Sequence, residues 1–404
     1  MTTQRTSRTR TGKIQLLIGL VLLSGVVALV SLWMVVVPEV TWPGGSPKSI
    51  AIAINGLAFV TDSGRGSTSI NASGIATWVV DIPSQKQIAL LRGGTLGKVF
   101  VSKQGKVFLL GSPLTYVIDS TAYPLSFTQV IRFPITEAAM SWTAARSATE
   151  LPTGDILIAV DTNLYRLNQD YHPLLVRRFE DNIYDLVTIS RSTRSLYVST
   201  SHHVWILNPD TLEIIGEVQT NQHDVPLENL ELVSDDLIVG SFEIHDRSQG
   251  DLTQLALLDS RRNAITQSPE LTNAHILGIV QASETKIYVL YSRRPRLDQN
   301  NSFTTNTGIY YVSVVNLPTL AVTKRIDLPS EPLAPAPGGS PMKRLAKAPD
   351  GKVYVVYGYG YVNIFGKDFT RQTGPGLVRI DPQSDDIIGK IPFSVPWTVA
   401  LNPF

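Results

Sequence analysis

Residues 195–218 read SLYVSTSHHVWILNPDTLEIIGEV, and this stretch carries the pattern that decides the fold. Its first part, SLYVST, is rich in β-branched and aromatic residues, which strands favour. A short polar turn leads into a second strand that ends at Asn208, and another turn leads into a third strand. An asparagine or aspartate at the end of a strand can bond its own backbone and close the turn. The stretch therefore predicts three consecutive antiparallel strands.

The same unit recurs about every 50 residues, and a repeat of this length is typical of repeat architectures. The strands that open the units are Leu57–Asp62, Lys106–Gly111, Asp155–Val160, Ser195–Thr200, Asp236–Ser241, Lys286–Tyr291 and Lys352–Tyr357. The strands that follow them end in Asp81, Asp119, Asn168, Asn208, Asp259, Asn316 and Asp381. A polar residue that recurs once in each repeat predicts a turn cap and not a catalytic group.

A further apolar strand precedes most units, for example Ile50–Ile54. Four strands in each of seven units predict an all-β fold, a seven-bladed β-propeller of four-stranded blades over residues 50–404. Trp397–Pro403 (WTVALNP) also reads as an inner strand and could complete the first blade, which would close the ring and remove exposed edges. The sequence leaves open which of the two segments does so.

The repeats resemble those of the bacterial YVTN/NHL-like propeller proteins. The residues that carry the resemblance are 195–218 and 348–391, which opens APDGKVYVVY and ends VRIDPQSDDIIGKI. The resemblance extends over residues 50–404, and it implies a fold and not an activity.

An apolar stretch lies near the N-terminus. No residue from Ile14 to Val37 is charged, and as a helix this stretch would be roughly 36 Å long, enough to cross a hydrocarbon core of ~30 Å. Basic residues precede it at Arg5, Arg8, Arg10 and Lys13. The positive-inside rule therefore places the N-terminus in the cytoplasm. The stretch is too long for a signal peptide and ends in a poor cleavage context, which favours an uncleaved anchor.

These features predict four regions in a single-pass protein of the cell membrane. We expect a cytoplasmic basic tail (1–13), a transmembrane helix (14–37), a linker rich in proline and glycine (38–49) and an extracytoplasmic, periplasmic propeller (50–404). The chain has no cysteine, which excludes disulfides, thiolate metal sites and covalent c-type haem. Its formal net charge of +1 gives no field that would attract nucleic acid, so no nucleic-acid partner is expected.

The sequence contains none of the common catalytic or nucleotide-binding motifs. Propeller enzymes such as lactonases, which the predicted fold brings to mind, hold a metal or substrate where the inner strands meet the central channel. The residues near those positions are Glu137, Asp181, Asp185, Asn229 and His275, with Trp397 from the C-terminus. Convergent acids, an amide and an imidazole could bind calcium or a polar ligand. The alternative is a channel that is only polar and filled with water, with no cofactor.

One face of the predicted ring carries long loops. They join the second and third strands of blades one, five, six and seven, at residues 63–73, 243–250, 293–307 and 358–374. These blades are consecutive once the ring closes, and insertions on one face of a repeat protein often mark its binding surface. The interface residues expected on these loops are Tyr359, Tyr361, Phe365, Phe369, Arg293, Arg294 and Arg296. We therefore expect a protein-binding or scaffold subunit of an envelope complex, with a lactonase-like hydrolase or lyase as the alternative.

Overall fold

The structure is a computed structural model. It describes residues 47–62, 76–92, 97–111, 114–134, 145–189, 193–219, 225–246, 250–268, 271–272, 274–293, 309–317, 319–328, 344–357 and 376–393. The predicted tail and anchor lie outside the described residues. The chain divides into two units, 1–42 and 43–404, and every described residue belongs to the second. Within the described part there is no helix with the length and apolar character needed to span a membrane.

The described residues form seven antiparallel sheets, each built on four consecutive strands, which confirms the predicted seven-bladed propeller. The strands of the first four blades are β1 (Pro47–Ile52), β2 (Leu57–Asp62), β3 (Ala76–Asp81), β4 (Lys86–Arg92), β5 (Val99–Val101), β6 (Lys106–Leu109), β7 (Leu114–Asp119), β8 (Phe127–Arg132), β9 (Ala145–Glu150), β10 (Ile156–Val160), β11 (Asn163–Leu167), β12 (Pro173–Arg178), β13 (Ile183–Ile189), β14 (Ser195–Thr200), β15 (His203–Leu207) and β16 (Ile214–Gln219).

The last three blades also have four strands each, and a short additional strand, β21, pairs with β19 beside the fifth blade. Their strands are β17 (Leu227–Leu232), β18 (Leu237–Asp246), β19 (Gly250–Asp259), β20 (Ala264–Gln267), β21 (Leu271–Thr272), β22 (Ala274–Ser283), β23 (Lys286–Arg293), β24 (Ile309–Asn316), β25 (Ala321–Asp327), β26 (Leu345–Lys347), β27 (Val353–Tyr357), β28 (Gly376–Asp381) and β29 (Asp386–Pro392).

Five of the seven polar residues that end the third strands accept a backbone hydrogen bond and cap turns, as predicted. A backbone N–H two residues further on donates to the side-chain oxygen of Asp119 (2.9 Å), Asn168 (3.0 Å), Asn208 (2.8 Å), Asp259 (2.9 Å) and Asp381 (2.9 Å). Bonds from Lys106 and Thr121 lower the pKa of the Asp119 carboxyl to about 2. These residues belong to the scaffold, since their acceptor capacity serves the hairpin.

The first strand of each blade is the innermost, and neighbouring inner strands contact each other around the whole ring, including β26 with β1. β1 begins at Pro47, three residues earlier than the predicted strand, and it provides the inner strand of the first blade. The first and last blades therefore meet as complete four-stranded sheets. Trp397–Pro403, the other candidate for that place, lies outside the described residues.

Buried apolar side chains fill all seven contacts between adjacent blades. The contact between the seventh and first blades closes the ring, and there Trp78 stacks on Phe393 with ring centroids 5.3 Å apart. Both faces of each sheet are consequently covered by neighbours. This explains why the second and third strands are almost continuously apolar while the outer strands carry polar residues.

The fifth and sixth blades extend beyond the others at one face. β18 and β19 are ten residues long and pair without interruption from Leu237 with Asp259 to Asp246 with Gly250. The predicted loop 243–250 is therefore wrong in large part, because residues 243–246 continue β18. The polar residues of this segment show no apolar strand pattern in the sequence. The backbone pairing of β18 with β19 does not depend on such a pattern, so the strand was predicted as a loop. Of the other predicted loops, only Arg293, the last residue of β23, is described; 63–73, 294–307 and 358–374 are not.

Replacing Trp78 by alanine should lower the free energy of unfolding by about 3–5 kcal/mol, because it empties a fully buried site at the contact that closes the ring. The control is Ile88→Ala on the outer strand of the same blade, whose side chain is 49% exposed and whose loss should change stability by less than about 0.5 kcal/mol. Urea unfolding of the two variants measures both changes in stability. It is followed by the circular dichroism of the backbone, so that the signal does not depend on the substituted tryptophan. Equal effects of the two substitutions would contradict this account of closure.

Candidate functional site: the central channel and its mouth

One residue near the start of each inner strand occupies an equivalent position beside the channel. We call these the ring residues: Ser49, Lys98, Ser147, Asp185, Asn229, Gly278 and Arg344. Four of them, Ser49, Lys98, Ser147 and Arg344, lie seven residues before a glycine that has a positive φ and at which the chain turns into the second strand. These glycines are Gly56, Gly105, Gly154 and Gly351. The fixed spacing from turn to ring position brings unlike side chains to the same height in successive blades.

The ring residues link neighbouring blades through hydrogen bonds. The N–H of Val99 donates to Ser49 Oγ (3.2 Å), that of Leu186 to Ser147 Oγ (3.2 Å) and that of Leu230 to Asp185 Oδ2 (2.9 Å). In each case the donor directly follows a ring residue, and the acceptor is the ring side chain of the preceding blade. These side chains thus satisfy backbone groups on the inner edge of the sheets, where no further strand pairs.

Asp185 connects four blades. It is 3% exposed, and its carboxylate accepts hydrogen bonds from Lys98 Nζ (2.9 Å), from Ser147 Oγ, from its own neighbour Leu186 N (3.0 Å) and from Leu230 N (2.9 Å). Lys98 belongs to the second blade, Ser147 to the third and Leu230 to the fifth. The cation and the three further donors offset the cost of burying this carboxylate. Its bonds are used within the protein.

The fifth and sixth blades approach the channel with irregular backbone. Asn229 adopts a positive φ of 56° within a bulge of β17, a conformation that asparagine tolerates better than most residues, and it donates to Ser241 Oγ (3.0 Å). Gly278 (φ 151°) lies against the backbone of Arg344, so a side chain there would be crowded. Beside them is a cavity of about 20 Å³, lined by Lys98, Asp185, Asn229, Leu230, Glu231, Gly278 and Ile279. It has room for about one water molecule.

Glu228 precedes the ring residue of the fifth blade, and the charge of Glu243 acts on it. We call the region of Glu228, Glu243 and His275 the channel mouth. Glu228 is partly exposed, yet protein atoms surround it on most sides. Burial raises the pKa of its carboxyl to about 7, and the charge of Glu243 adds to the rise. Lys98 and Arg146 act in the opposite direction. Glu228 consequently changes its charge near neutral pH, which is unusual for a carboxyl group and is often associated with functional sites.

Glu243 and His275 form a pair beside Glu228. His275 Nδ1 lies 2.6 Å from Glu243 Oε2, and the N–H of Ile276 donates to Glu243 Oε1 (3.1 Å). The side chain of Glu243 is 13% exposed and that of His275 is 30% exposed. A carboxylate on Nδ1 orients an imidazole and leaves Nε2 on the opposite side of the ring. The guanidinium of Arg146, whose charge also acts on Glu228, lies 4.7 Å from the centre of the Tyr184 ring.

The structure brings together two of the six channel residues named from the sequence, since Asp185 and Asn229 line the same cavity. His275 is paired with Glu243 and is not among the residues that line this cavity. Asp181 lies before β13 and is not among the residues that line the cavity. Glu137 and Trp397 lie outside the described residues, as do the interface residues Tyr359, Tyr361, Phe365, Phe369, Arg294 and Arg296. No group of three or more histidine, aspartate or glutamate side chains within the described ranges is arranged to hold a metal ion.

Sequence reasoning missed Lys98, Ser147, Glu228 and Glu243. The spacing of seven residues before the turn glycine would have found the first two, at Gly105 and Gly154. No comparable signal marks Glu228 and Glu243. Their proximity comes from the pairing of Glu228 with Ser241 across β17 and β18.

No protein-family model and no curated protein sequence matches this chain. Solved structures do. A streptogramin B lyase structure is 12% identical, with a TM-score of 0.52 over 78% of this chain and 92% of that one. BamB from Moraxella catarrhalis is 12% identical, with a TM-score of 0.45 over 76% and 81% of the two chains. Hydrazine synthase from Kuenenia stuttgartiensis is 11% identical, with a TM-score of 0.47 over 88% and 89%.

These similarities concern the fold. At such low identity the match to the lyase structure shows a shared propeller architecture, and function resides in particular side chains. The resemblance to YVTN/NHL-like repeats stays a prediction about the family.

Replacing Asp185 by asparagine should lower the free energy of unfolding by about 3–5 kcal/mol, since Lys98 would be left nearly buried without its anion. Adding Lys98→Met to that variant should recover part of the loss, because the unpaired charge is then removed. Asp210→Asn is the control: it breaks an exposed pair with Arg194 and should cost less than about 1 kcal/mol. Denaturant unfolding of the unmodified protein, of Asp185→Asn, of Lys98→Met and of the double variant gives the coupling. Strict additivity of the two channel substitutions would refute the pairing.

Proposed function

We propose that this protein is a membrane-anchored, extracytoplasmic propeller that binds a partner protein as a subunit of an envelope complex. The observation that carries the proposal is the extension of the fifth and sixth blades at one face. We call this the connection face, because it carries the links between second and third strands. β22 pairs from Ala274 with Arg293, so the inner strands also begin at this face.

The extension of the fifth blade is a rigid support for a binding surface. β18 and β19 remain paired to their ends, and β21 adds a third strand through Leu252 with Thr272 and Thr253 with Leu271. In the third and fourth blades the corresponding strands are joined by two residues, at 161–162 and 201–202. The connection face is therefore raised on one side. A partner would meet paired backbone there, which loses little conformational entropy on binding.

The channel provides a second argument for a binding role. The ring carboxylate, that of Asp185, is bonded to Lys98, Ser147 and two backbone amides, and the neighbouring cavity is the size of one water molecule. These contacts hold blades together.

We propose that recognition takes place on the connection face, with Tyr359, Tyr361, Phe365 and Phe369 as anchors and Arg293, Arg294 and Arg296 at the rim. We also assign the repeats to the YVTN/NHL-like type.

An enzyme is the second candidate, and the Glu243–His275 pair favours it. An imidazole oriented by a carboxylate, next to a carboxyl group whose pKa is about 7, is an arrangement used in acid–base catalysis by hydrolases and lyases. Metal analysis of the purified protein separates this candidate from the first. Stoichiometric calcium that is lost on substitution of Glu137 would favour the enzyme, whereas a co-purifying protein without metal favours the scaffold.

The orientation follows from the basic residues before the apolar stretch. A protease added to intact spheroplasts should digest residues 50–404 and leave an epitope tag on residues 1–13 intact. Immunoblotting against both ends measures this, with lysed spheroplasts as the control in which the tag is also lost. A propeller that stays protected until lysis would overturn the orientation, and a mature N-terminus beyond about residue 35 would overturn the uncleaved anchor.

Shortening residues 358–374 to a two-residue turn should abolish capture of the partner from solubilised membranes, because it removes the four aromatic anchors. The melting transition should change little, since the flanking strands β27 and β28 remain paired. The control is the double substitution Ile214→Ser and Ile215→Ser on the outer strand of the fourth blade, where both side chains are exposed. Unaltered capture after the deletion, or equal loss in the control, would exclude this surface.

A further inference from the structure

A glycine at the ring position of the sixth blade leaves space beside Asp185. Gly278 lines the cavity there without a side chain, whereas the ring residues of the other six blades all carry one. Its φ of 151° and the backbone nitrogen of Arg344, which would lie 3.3 Å from an added Cβ, both disfavour a larger residue. The space that remains measures about 20 Å³. One water molecule fits in a cavity of this size.

The side-chain amide of Asn229, which also lines this cavity, has a fixed orientation. Asn229 is 7% exposed, and its Nδ2 donates to Ser241 Oγ (3.0 Å). Ser241 Oγ in turn donates to the carbonyl oxygen of Glu228 (3.4 Å). A hydroxyl group has a single proton, so Ser241 can only accept from the amide, and Asn229 Oδ1 is turned away from it. Oδ1 accepts no hydrogen bond from the described residues. A buried amide oxygen is unfavourable without a donor from protein or water.

Lys98 lines the same cavity and provides hydrogen-bond donors. Its side chain is 12% exposed, and its Nζ lies 2.9 Å from Asp185 Oδ2. An ammonium group has three N–H donors, and Asp185 is the one acceptor of Lys98 within the described ranges. The two oxygens of Asp185 already accept two hydrogen bonds each. Two donors of Lys98 and the Oδ1 acceptor of Asn229 therefore remain available on residues that line one cavity.

The charges of the residues that line the cavity favour a neutral ligand. A cation there would lie beside the ammonium group of Lys98, and an anion would lie beside the carboxylates of Asp185 and Glu231. No three acidic or histidine side chains in the described part of the chain are placed to hold a metal ion. The ligand must also accept from Lys98 and donate to Asn229. A water molecule combines both properties in a single heavy atom.

We propose that this cavity binds one water molecule, which accepts a hydrogen bond from Lys98 Nζ and donates one to Asn229 Oδ1. The water bridges the second and fifth blades, which are not neighbours in the ring. Asparagine suits position 229 because it tolerates the positive φ of 56° and also supplies the acceptor. Water, and not calcium, is thus the ligand at Asp185 and Asn229. The site depends neither on the partner protein nor on the membrane anchor.

A crystal structure of the full-length protein in detergent, at a resolution at which ordered water is visible, tests the proposal. One oxygen should lie about 2.7–3.2 Å from both Lys98 Nζ and Asn229 Oδ1, and it should be as well ordered as the ring side chains. Separate soaks in rubidium chloride and sodium bromide distinguish water from an ion, because rubidium and bromide scatter anomalously. Neither should give an anomalous peak in the cavity. A rubidium or calcium peak, a bromide peak, or a cavity without an ordered atom would each overturn the proposal.

Asn229→Gly removes the acceptor and keeps the backbone conformation, since glycine adopts a positive φ freely. The water should be lost from its position in this variant, and the melting temperature should fall by several degrees. The matched control is Asn263→Gly, at an exposed turn residue with a φ of 50°, which should melt as the unmodified protein does.

Two results with these variants would contradict the proposal. A fully occupied water in Asn229→Gly would show that Asn229 does not hold it. An equal fall in the melting temperature of Asn263→Gly would assign the loss to the backbone. If Asn229→Gly does not fold, the structure of the unmodified protein decides by itself. None of these results bears on capture of the partner protein.

Discussion

Packing between adjacent blades is the interaction on which the rest of this structure depends. A four-stranded blade has two apolar faces, and each face is buried only when another blade covers it. Seven clusters of buried side chains provide this cover, and the chain has no cysteine that could reinforce it. The seventh blade must therefore meet the first, which it does at Trp78 and Phe393. Once the ring is closed, the inner strands are held at equivalent places around a common axis.

That arrangement creates the chemistry of the channel. Seven inner edges face one another, and their backbone groups lack a further strand to pair with. Side chains at the ring positions satisfy some of these groups, and they connect blades that are distant in sequence. Asp185 is the clearest case, since its bonds to Lys98, Ser147 and Leu230 span the second to the fifth blade. Polar residues in this channel are thus part of the framework, although a list of them resembles a set of catalytic candidates.

The channel mouth differs from the ring below it. At the ring, each carboxylate oxygen of Asp185 accepts two hydrogen bonds; at the mouth, Glu228 accepts none from the described residues and its pKa is near 7. Bulges in the inner strands contribute to this difference, because they interrupt the regular alternation just where β17 and β22 enter the channel. Stability is therefore concentrated in the ring and between the blades, while the groups that are free to interact lie at the connection face.

The sequence by itself determined the number of blades, the positions of most strands and the turns that join them. Apolar alternation, turn glycines such as Gly56 and Gly105, and caps such as Asp119 and Asn208 all act within a few residues of the chain, so their effects can be read locally. Only the tertiary structure decided which polar residues meet. Lys98 and Asp185 are 87 positions apart, and Glu243 reaches His275 because β18 continues through a segment predicted as a loop. Such contacts depend on how far each strand extends and on closure of the ring, and neither quantity is encoded in a local pattern.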